Sequence, residues 1–406
     1  MSLIEPFRAL RPAPGRAAEV LAPPYDVLTS AEARARAAGK PWSFLHVSKP
    51  EIDLDPGIDP HDPAVYAKGA EALRRMIAEG VLVRDVAPRY HIYRLTWRER
   101  QQTGLAAVAS IAAYEANRIR KHELTTPAKE DDRVRQIEAV NAETGPVMMA
   151  YPAAPNVDGL LAMATERDPD VDVTADDGVR HQSWAIDNDD TVAQLTAAIE
   201  ALPALYIADG HHRAAAAARV AHARGMSGSA GRFLVVVFPH HQMTILDYNR
   251  VVTDLNGLSP VALLAGLSER FTVAGSDAPV RPDAPGVFGL YVAGGWHRLT
   301  IRPDLVPADD PIGRLPISLL SANAIAPLLG IADQRTDKRI DFVGGARGLG
   351  ELERRVDSGE MAAAFALHPT AMEDLMAVAD AGEIMPPKST WFEPKLADGM
   401  VSHVLY

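Results

Sequence analysis

The chain has 406 residues, enough for two or three domains, and 47% are hydrophobic, so a sizeable core is available. With no cysteine, disulfides, thiol catalysis and cysteine-based zinc sites are excluded, which fits a cytoplasmic protein. A formal net charge of −12, without a basic stripe or helix-turn-helix pattern, argues against nucleic acid as a partner, and no apolar run approaches the ~20 residues of a membrane helix or opens the chain as a signal peptide.

Residues 1–60 are rich in proline and irregular, and Pro23-Pro24-Tyr25-Asp26 sets a rigid extended turn. An amphipathic helix is expected from Ala64 to Gly80, with Val65, Ala72, Leu73, Met76 and Ile77 on one side and Gly80 at its end. Strands are expected from Tyr90 to Thr96 and from Leu105 to Tyr114, joined by the polar run Arg98 to Thr103. Pro127 precedes a charged helix, Lys129 to Glu143, which Gly145-Pro146 ends. Strands at Val147 to Tyr151 and Val179 to Ile186 then alternate with helices at Val157 to Arg167 and Thr191 to Leu202.

Arg232 to Phe238 is the clearest central strand, and Gln242 to Leu246 and Arg250 to Thr253 are expected to continue its sheet. Composition shifts near Gly257. A hairpin across Gly294-Gly295 follows, and the last hundred residues alternate helices with short strands. The expectation is an α+β protein of mixed sheets with flanking helices, in an N-terminal region 1–256 and a C-terminal region 257–406.

The most informative stretch is Tyr206-Ile207-Ala208-Asp209-Gly210-His211-His212-Arg213. A buried strand breaks at glycine and enters the alanine-rich helix starting near Ala214. Asp209 is placed to cap that helix. A solvated cap would explain a lone Asp-Gly. Asp209, Gly210, His211, His212 and Arg213 together, at a helix N-terminus, suit a phosphate.

Glu123 is the candidate general base, because Arg118, Arg120 and Lys121 would keep its carboxylate ionised. Asp131 and Asp132 open a helix, where acids complement the dipole; a second reading gives them Mg²⁺, with Arg133 reaching a phosphate. Lys388, Ser389 and Thr390 follow two prolines and either form a surface turn or bind a carboxylate or phosphate. Asn249 and Arg250, in Asp247-Tyr248-Asn249-Arg250, line a substrate pocket or make a turn. His240-His241 reads as loop histidines, and Gly344-Gly345-Ala346-Arg347-Gly348 is a weak phosphate signal.

The Asp209–Arg213 run resembles the signature loop of the ParB/sulfiredoxin-like superfamily, which contacts nucleotide phosphates. Lys121-His122-Glu123 and Pro387-Lys388-Ser389-Thr390 resemble, in the same order, two further segments of its archaeal free-serine kinases. The whole chain is similar to a bacterial domain-of-unknown-function family, sharing Pro23-Pro24-Tyr25-Asp26-Val27, Lys129-Glu130-Asp131-Asp132-Arg133 and Tyr248-Asn249-Arg250-Val251-Val252 among others.

The resemblance implies a nucleotide-binding core with insertions, ATP or ADP as donor with Mg²⁺, and L-serine as acceptor. Glu123, His211 and His212 would be catalytic, and Lys388 to Thr390 would orient the amino acid. A non-catalytic nucleotide switch binding CTP or ATP, or a nucleotide hydrolase, would use the same loop. Without cysteine, sulfiredoxin chemistry is out. Residues 124–208 separate Glu123 from the loop, so a shared site requires that segment to loop away.

Overall fold

The computed structural model describes residues 2–406, in two compact units: residues up to Met243 together with Pro394–Tyr406, and Thr244–Glu393. The boundary expected at 256/257 therefore falls inside the second unit. Tyr248–Val252 pairs with Ile340–Gly344 and Ala363–Leu367 there, and does not extend the sheet of Arg232–Pro239.

The first unit is built on a nine-stranded mixed sheet. Its order is Ile119–Arg120, Leu205–Asp209, Val147–Tyr151, Arg232–Pro239, Arg100–Ser110, Tyr90–Trp97, Arg180–Ile186 and Val171–Thr174, with Ile4–Glu5 added against Arg100–Ser110. Two pairs are parallel, Leu205–Asp209 with Ile119–Arg120 and Arg232–Pro239 with Val147–Tyr151; the others are antiparallel. Residues Phe233 to Pro239 are buried throughout, as a continuous apolar run in a covered sheet requires.

The helix His211–Ala223 enters the core beside this sheet through Ala214, Ala217, Ala218 and Ala221. Its other flank, Ala216 and Val220, packs with Ile137 of the helix Pro127–Val140. The proline-rich N-terminal segment is more ordered than its composition suggests. Short helices such as Ser30–Ala37, which Thr29 and Glu32 close with a capping box, surround a second core of Val20, Phe44, Leu45, Leu73 and Met76.

Several boundaries differ from expectation for local reasons. Ile77 is 44% exposed, off the apolar stripe of the helix Pro63–Ala78. Arg98, at φ 57°, makes a tight turn, so Gln101 to Thr103 pair with Thr96 to Arg94 and form no loop. The second strand ends at Ser110, whose side chain accepts from Ala113 N–H and caps the helix Ile111–Glu115. The helix from Pro127 stops at Asn141, at φ 52°, because the chain must turn into Ala142–Glu143 to pair with His403–Val404.

The second unit holds a six-stranded antiparallel sheet in the order Phe271–Ser276, Gly295–Ile301, Val287–Val292, Ala363–Leu367, Tyr248–Val252, Ile340–Gly344. Val251, Tyr291, Trp296, Leu352 and Ala364 form its core. Packing explains the Gly344-Gly345 pair: an added Cβ would lie 2.9 Å from Trp391 and 2.2 Å from Asp247, respectively. Among the described residues, no helix is long and apolar enough to cross a membrane.

Candidate functional site

The strand Leu205–Asp209 shifts register against Val147–Tyr151 between Ile207 and Asp209, an irregularity that re-aims the end of the strand. Gly210, at φ 101°, then turns the chain directly into the helix, which begins at His211. Gly210 occupies the cap position and Asp209 makes no capping bond, contrary to expectation. The Asp209 carboxylate turns instead to Lys395 Nζ at 3.2 Å and the Arg213 guanidinium at 3.5 Å. Burial opposes its ionisation, but Lys395 and Arg213 outweigh this and hold it well below the usual carboxylate range.

The first helical bond runs from Ala214 N–H to the Gly210 carbonyl, so the N–H groups of His211, His212 and Arg213 lie ahead of it. A Cβ on Gly210 would sit 3.0 Å from Arg213 Cζ. Gly210→Ala is therefore expected to cost roughly 1–3 kcal/mol, read from the urea midpoint, since it adds positive-φ strain to a displaced guanidinium. An unchanged midpoint would show that the turn relaxes freely.

The strand Ile119–Arg120 runs parallel beside Leu205 and Tyr206 and delivers Lys121-His122-Glu123 to the same turn. His122 N–H points to His211 Nε2 at 3.5 Å, and His211 Nδ1 lies 3.6 Å from Glu123 Oε2. His212 Nε2 accepts from Thr126 N–H at 3.1 Å. Glu123 and His211 thus come together although residues 124–208 separate them, and that segment does not loop away: Val147–Tyr151 pairs with Leu205–Asp209, and Thr126 N–H reaches His212.

His122 and His211 are buried, with rings in edge contact at 4.4 Å. Burial pushes His122 down to about 4; burial and then the neighbouring His122 push His211 well below its ordinary value. Burial also lowers His212. The histidines therefore bring neutral donors and acceptors to the loop. Glu123, with a side chain 52% exposed, is the group of this set that meets solvent.

Arg133 and Arg213, both expected at a phosphate, come together, but at an interior cavity of about 30 Å³, room for a water molecule or two. Tyr25, Glu143 and Asp398 also line it. Arg213 donates to the Pro146 carbonyl, and Arg133 stacks 3.9 Å over the Tyr25 ring while bonding Asp132. Burial pushes Tyr25 up to about 12, Asp398 to about 7 and Glu143 to about 8.

These two carboxyls give a stability prediction. In the folded chain they hold protons up to pH 7 to 8, whereas their ordinary values are 3.8 and 4.5. The folded state binds more protons, so stability falls as pH rises between those limits. The depressed histidines act in the opposite sense, because at their ordinary 6.5 they are still partly protonated in the unfolded chain, and their contribution fades only about one pH unit higher. Asp398→Asn and Glu143→Gln leave the histidines unchanged, so between about pH 6.5 and 8.5 the denaturant midpoint of the unmodified chain should fall relative to that of either variant; equal slopes in all three proteins would contradict the assignment.

The expected Mg²⁺ ligands have other partners. Asp131 pairs with Arg219 at 2.7 Å, while Asp132 accepts from Tyr66 Oη at 2.7 Å and from Arg133. Each is already matched to separate donors, so the pair does not fit a shared Mg²⁺ site. Asn249, Arg250, Lys388, Ser389 and Thr390 belong to the second unit.

There, Asn249 and Arg250 are fully buried. Asn249 bonds Asp247 and Leu367 N–H. Arg250 donates to Gln334 and to the carbonyls of Tyr248, Pro387 and Lys388. These bonds give both a structural role: Arg250 holds the Pro387 and Lys388 carbonyls, and Asn249 the Leu367 N–H. Ser389 Oγ is likewise engaged, donating to the Pro386 carbonyl at 2.5 Å. Lys388 is exposed at φ 56° with Nζ 5.8 Å from the Tyr248 ring centre, and Thr390 is half-buried. His240 Nδ1 accepts from Ala153 N–H at 3.0 Å, a loop tether.

Sequence reasoning missed Lys395, Asp398 and Tyr25 as members of the polar cluster. Tyr25 lay in a segment read only as a turn. Lys395 and Asp398 return to the first unit from the far end of the chain, and nothing local in the sequence announces that.

Solved structures to which the chain is similar include a free serine kinase in complex with AMP, 11% identical, covering 71% of this chain and 86% of its own, with a TM-score of 0.36. A conserved hypothetical protein from Pyrococcus furiosus is 13% identical over 74% of this chain and 95% of its own, with a TM-score of 0.36. SbnI with a C-terminal truncation, from Staphylococcus aureus, is 13% identical over 73% and 86%, with a TM-score of 0.38. No curated protein matches the chain. The family model described as "Protein of unknown function (DUF1015)" matches residues 4–320, and the chain belongs to that family.

Proposed function

We propose that the first unit is a nucleotide-dependent phosphotransferase acting on the hydroxyl of a small metabolite, with L-serine as the acceptor that the order of the motifs implies. The observation that carries this reading is the Glu123 carboxylate 3.6 Å from His211, at the opening turn of a helix whose first N–H groups precede its hydrogen-bonded ladder.

Phosphoryl transfer demands little covalent chemistry of a protein; it demands a held phosphate, a placed hydroxyl and charge stabilisation. The N–H groups of His211 to Arg213 and the helix dipole suit the phosphates. Glu123 accepts the hydroxyl proton, with the neutral His211 3.6 Å away. Lys388 to Thr390 enter through the resemblance of motifs alone. No step is assigned to Mg²⁺, which enters only as a component of the assay.

The test is calorimetric titration of the full chain with ATP and ADP, followed by competition with inorganic phosphate. Saturable binding that phosphate weakens is expected. No binding of either nucleotide would overturn the proposal, and binding without turnover of any hydroxyl acceptor would favour the switch.

A further inference from the structure

We infer that His122, His211 and Glu123 form a binding site for a first-row divalent metal ion of the zinc class. One ligand atom from each of these residues lies within 4.8 Å of the others. Two imidazoles and one carboxylate, with further positions open to solvent on the Glu123 side, match the donor set of zinc and other transition-metal sites with exchangeable positions. Mg²⁺ prefers oxygen donors alone and is the wrong ion for this set.

The independent observation is His122. It is 2% exposed, and its Nδ1 is buried without a hydrogen-bond partner. Its side chain bonds the Ile207 carbonyl, which leaves Nε2 as the donor and Nδ1 as a bare lone pair. A buried acceptor without a partner carries a desolvation cost of about 1–3 kcal/mol. A ring nitrogen anchored on a backbone carbonyl with its other nitrogen free is how proteins orient a metal-binding histidine. His211 completes the arrangement with Nδ1 towards Glu123. Ligation there places the His211 proton on Nε2, so the 3.5 Å contact with His122 N–H, at the long limit for a hydrogen bond, is lost and the two N–H groups must move apart.

A bound ion draws on the negative charge of Glu123 and lowers the basicity of both its oxygens, so metal binding opposes its action as a base. Resting on the phosphotransfer reading, this makes Zn²⁺ an inhibitor of the site.

The test uses the full chain stripped with a chelator and titrated with Zn²⁺ by calorimetry and with Co²⁺ by visible absorption. One ion per chain is expected, with the intense ligand-field bands of low-coordinate Co²⁺, and no comparable uptake of Mg²⁺. Glu123→Gln, at a half-exposed position that tolerates the change, should weaken Zn²⁺ binding at least about 10-fold, and His211→Ala should abolish it. Uptake that survives in both folded variants, or that is lost in His241→Ala instead, would overturn the site, as would no stoichiometric uptake at all. Binding is read without turnover, so an absent metal and an absent phosphotransferase give different results: Zn²⁺ bound with no activity sinks only the reaction, and activity untouched by saturating Zn²⁺ sinks only the inhibition.

Discussion

Glu123→Gln is expected to lower phosphoryl transfer by about 10²–10⁴-fold while leaving nucleotide affinity unchanged. The substitution keeps the size of the side chain and its hydrogen bonding and removes the proton acceptor. The side chain is half-exposed, and its contact with His211 is 3.6 Å, so the fold does not depend on its charge. Phosphates held by N–H groups of the helix His211–Ala223 do not need it either. Single-turnover rates and calorimetry on the same preparation check this. Full turnover in the variant would remove Glu123 from the chemistry, and lost nucleotide binding would make it a binding residue.

Arg213→Ala should have the largest effect on stability, roughly 3–5 kcal/mol. From sequence, Arg213 is one of the residues expected at a phosphate. In the structure its side chain is 12% exposed, donates to the Pro146 carbonyl and faces Asp209. Alanine leaves the Pro146 carbonyl without its donor and Asp209 with Lys395 alone, at 3.2 Å. Urea unfolding followed by circular dichroism measures the cost, and Arg213→Lys should recover part of it by keeping the charge without the two-pronged geometry. A loss below about 1 kcal/mol would mean that Lys395 and Asp398 already neutralise the cluster.

The parts of the molecule legible in the sequence are those fixed by local pattern. Phe233 to Phe238 announce a covered strand by being apolar without interruption, and Gly210 announces a turn between a strand and a helix by needing a positive φ. The pairing of Glu123 with His211 was legible only as an order of motifs, since parallel pairing of Ile119–Arg120 with Leu205–Tyr206 is a long-range event. The failures have the same origin. Tyr248–Val252 ends on the β-branched pair Val251-Val252 but carries no mark of which sheet it joins. Arg250 looks like a ligand-binding cation because nothing local shows the four acceptors that enclose it. The pairing of Lys395 with Asp209 depends on the chain's return after residue 393.

The most direct measurement is the appearance of O-phospho-L-serine, followed by phosphorus NMR, when the full chain is incubated with L-serine and either ATP or ADP plus Mg²⁺. The site geometry predicts time-dependent product in the unmodified protein and a loss of about 10²-fold or more in Glu123→Gln. No product from unmodified protein that demonstrably binds the nucleotide would contradict L-serine phosphorylation, and equal rates in the two proteins would contradict the role of Glu123.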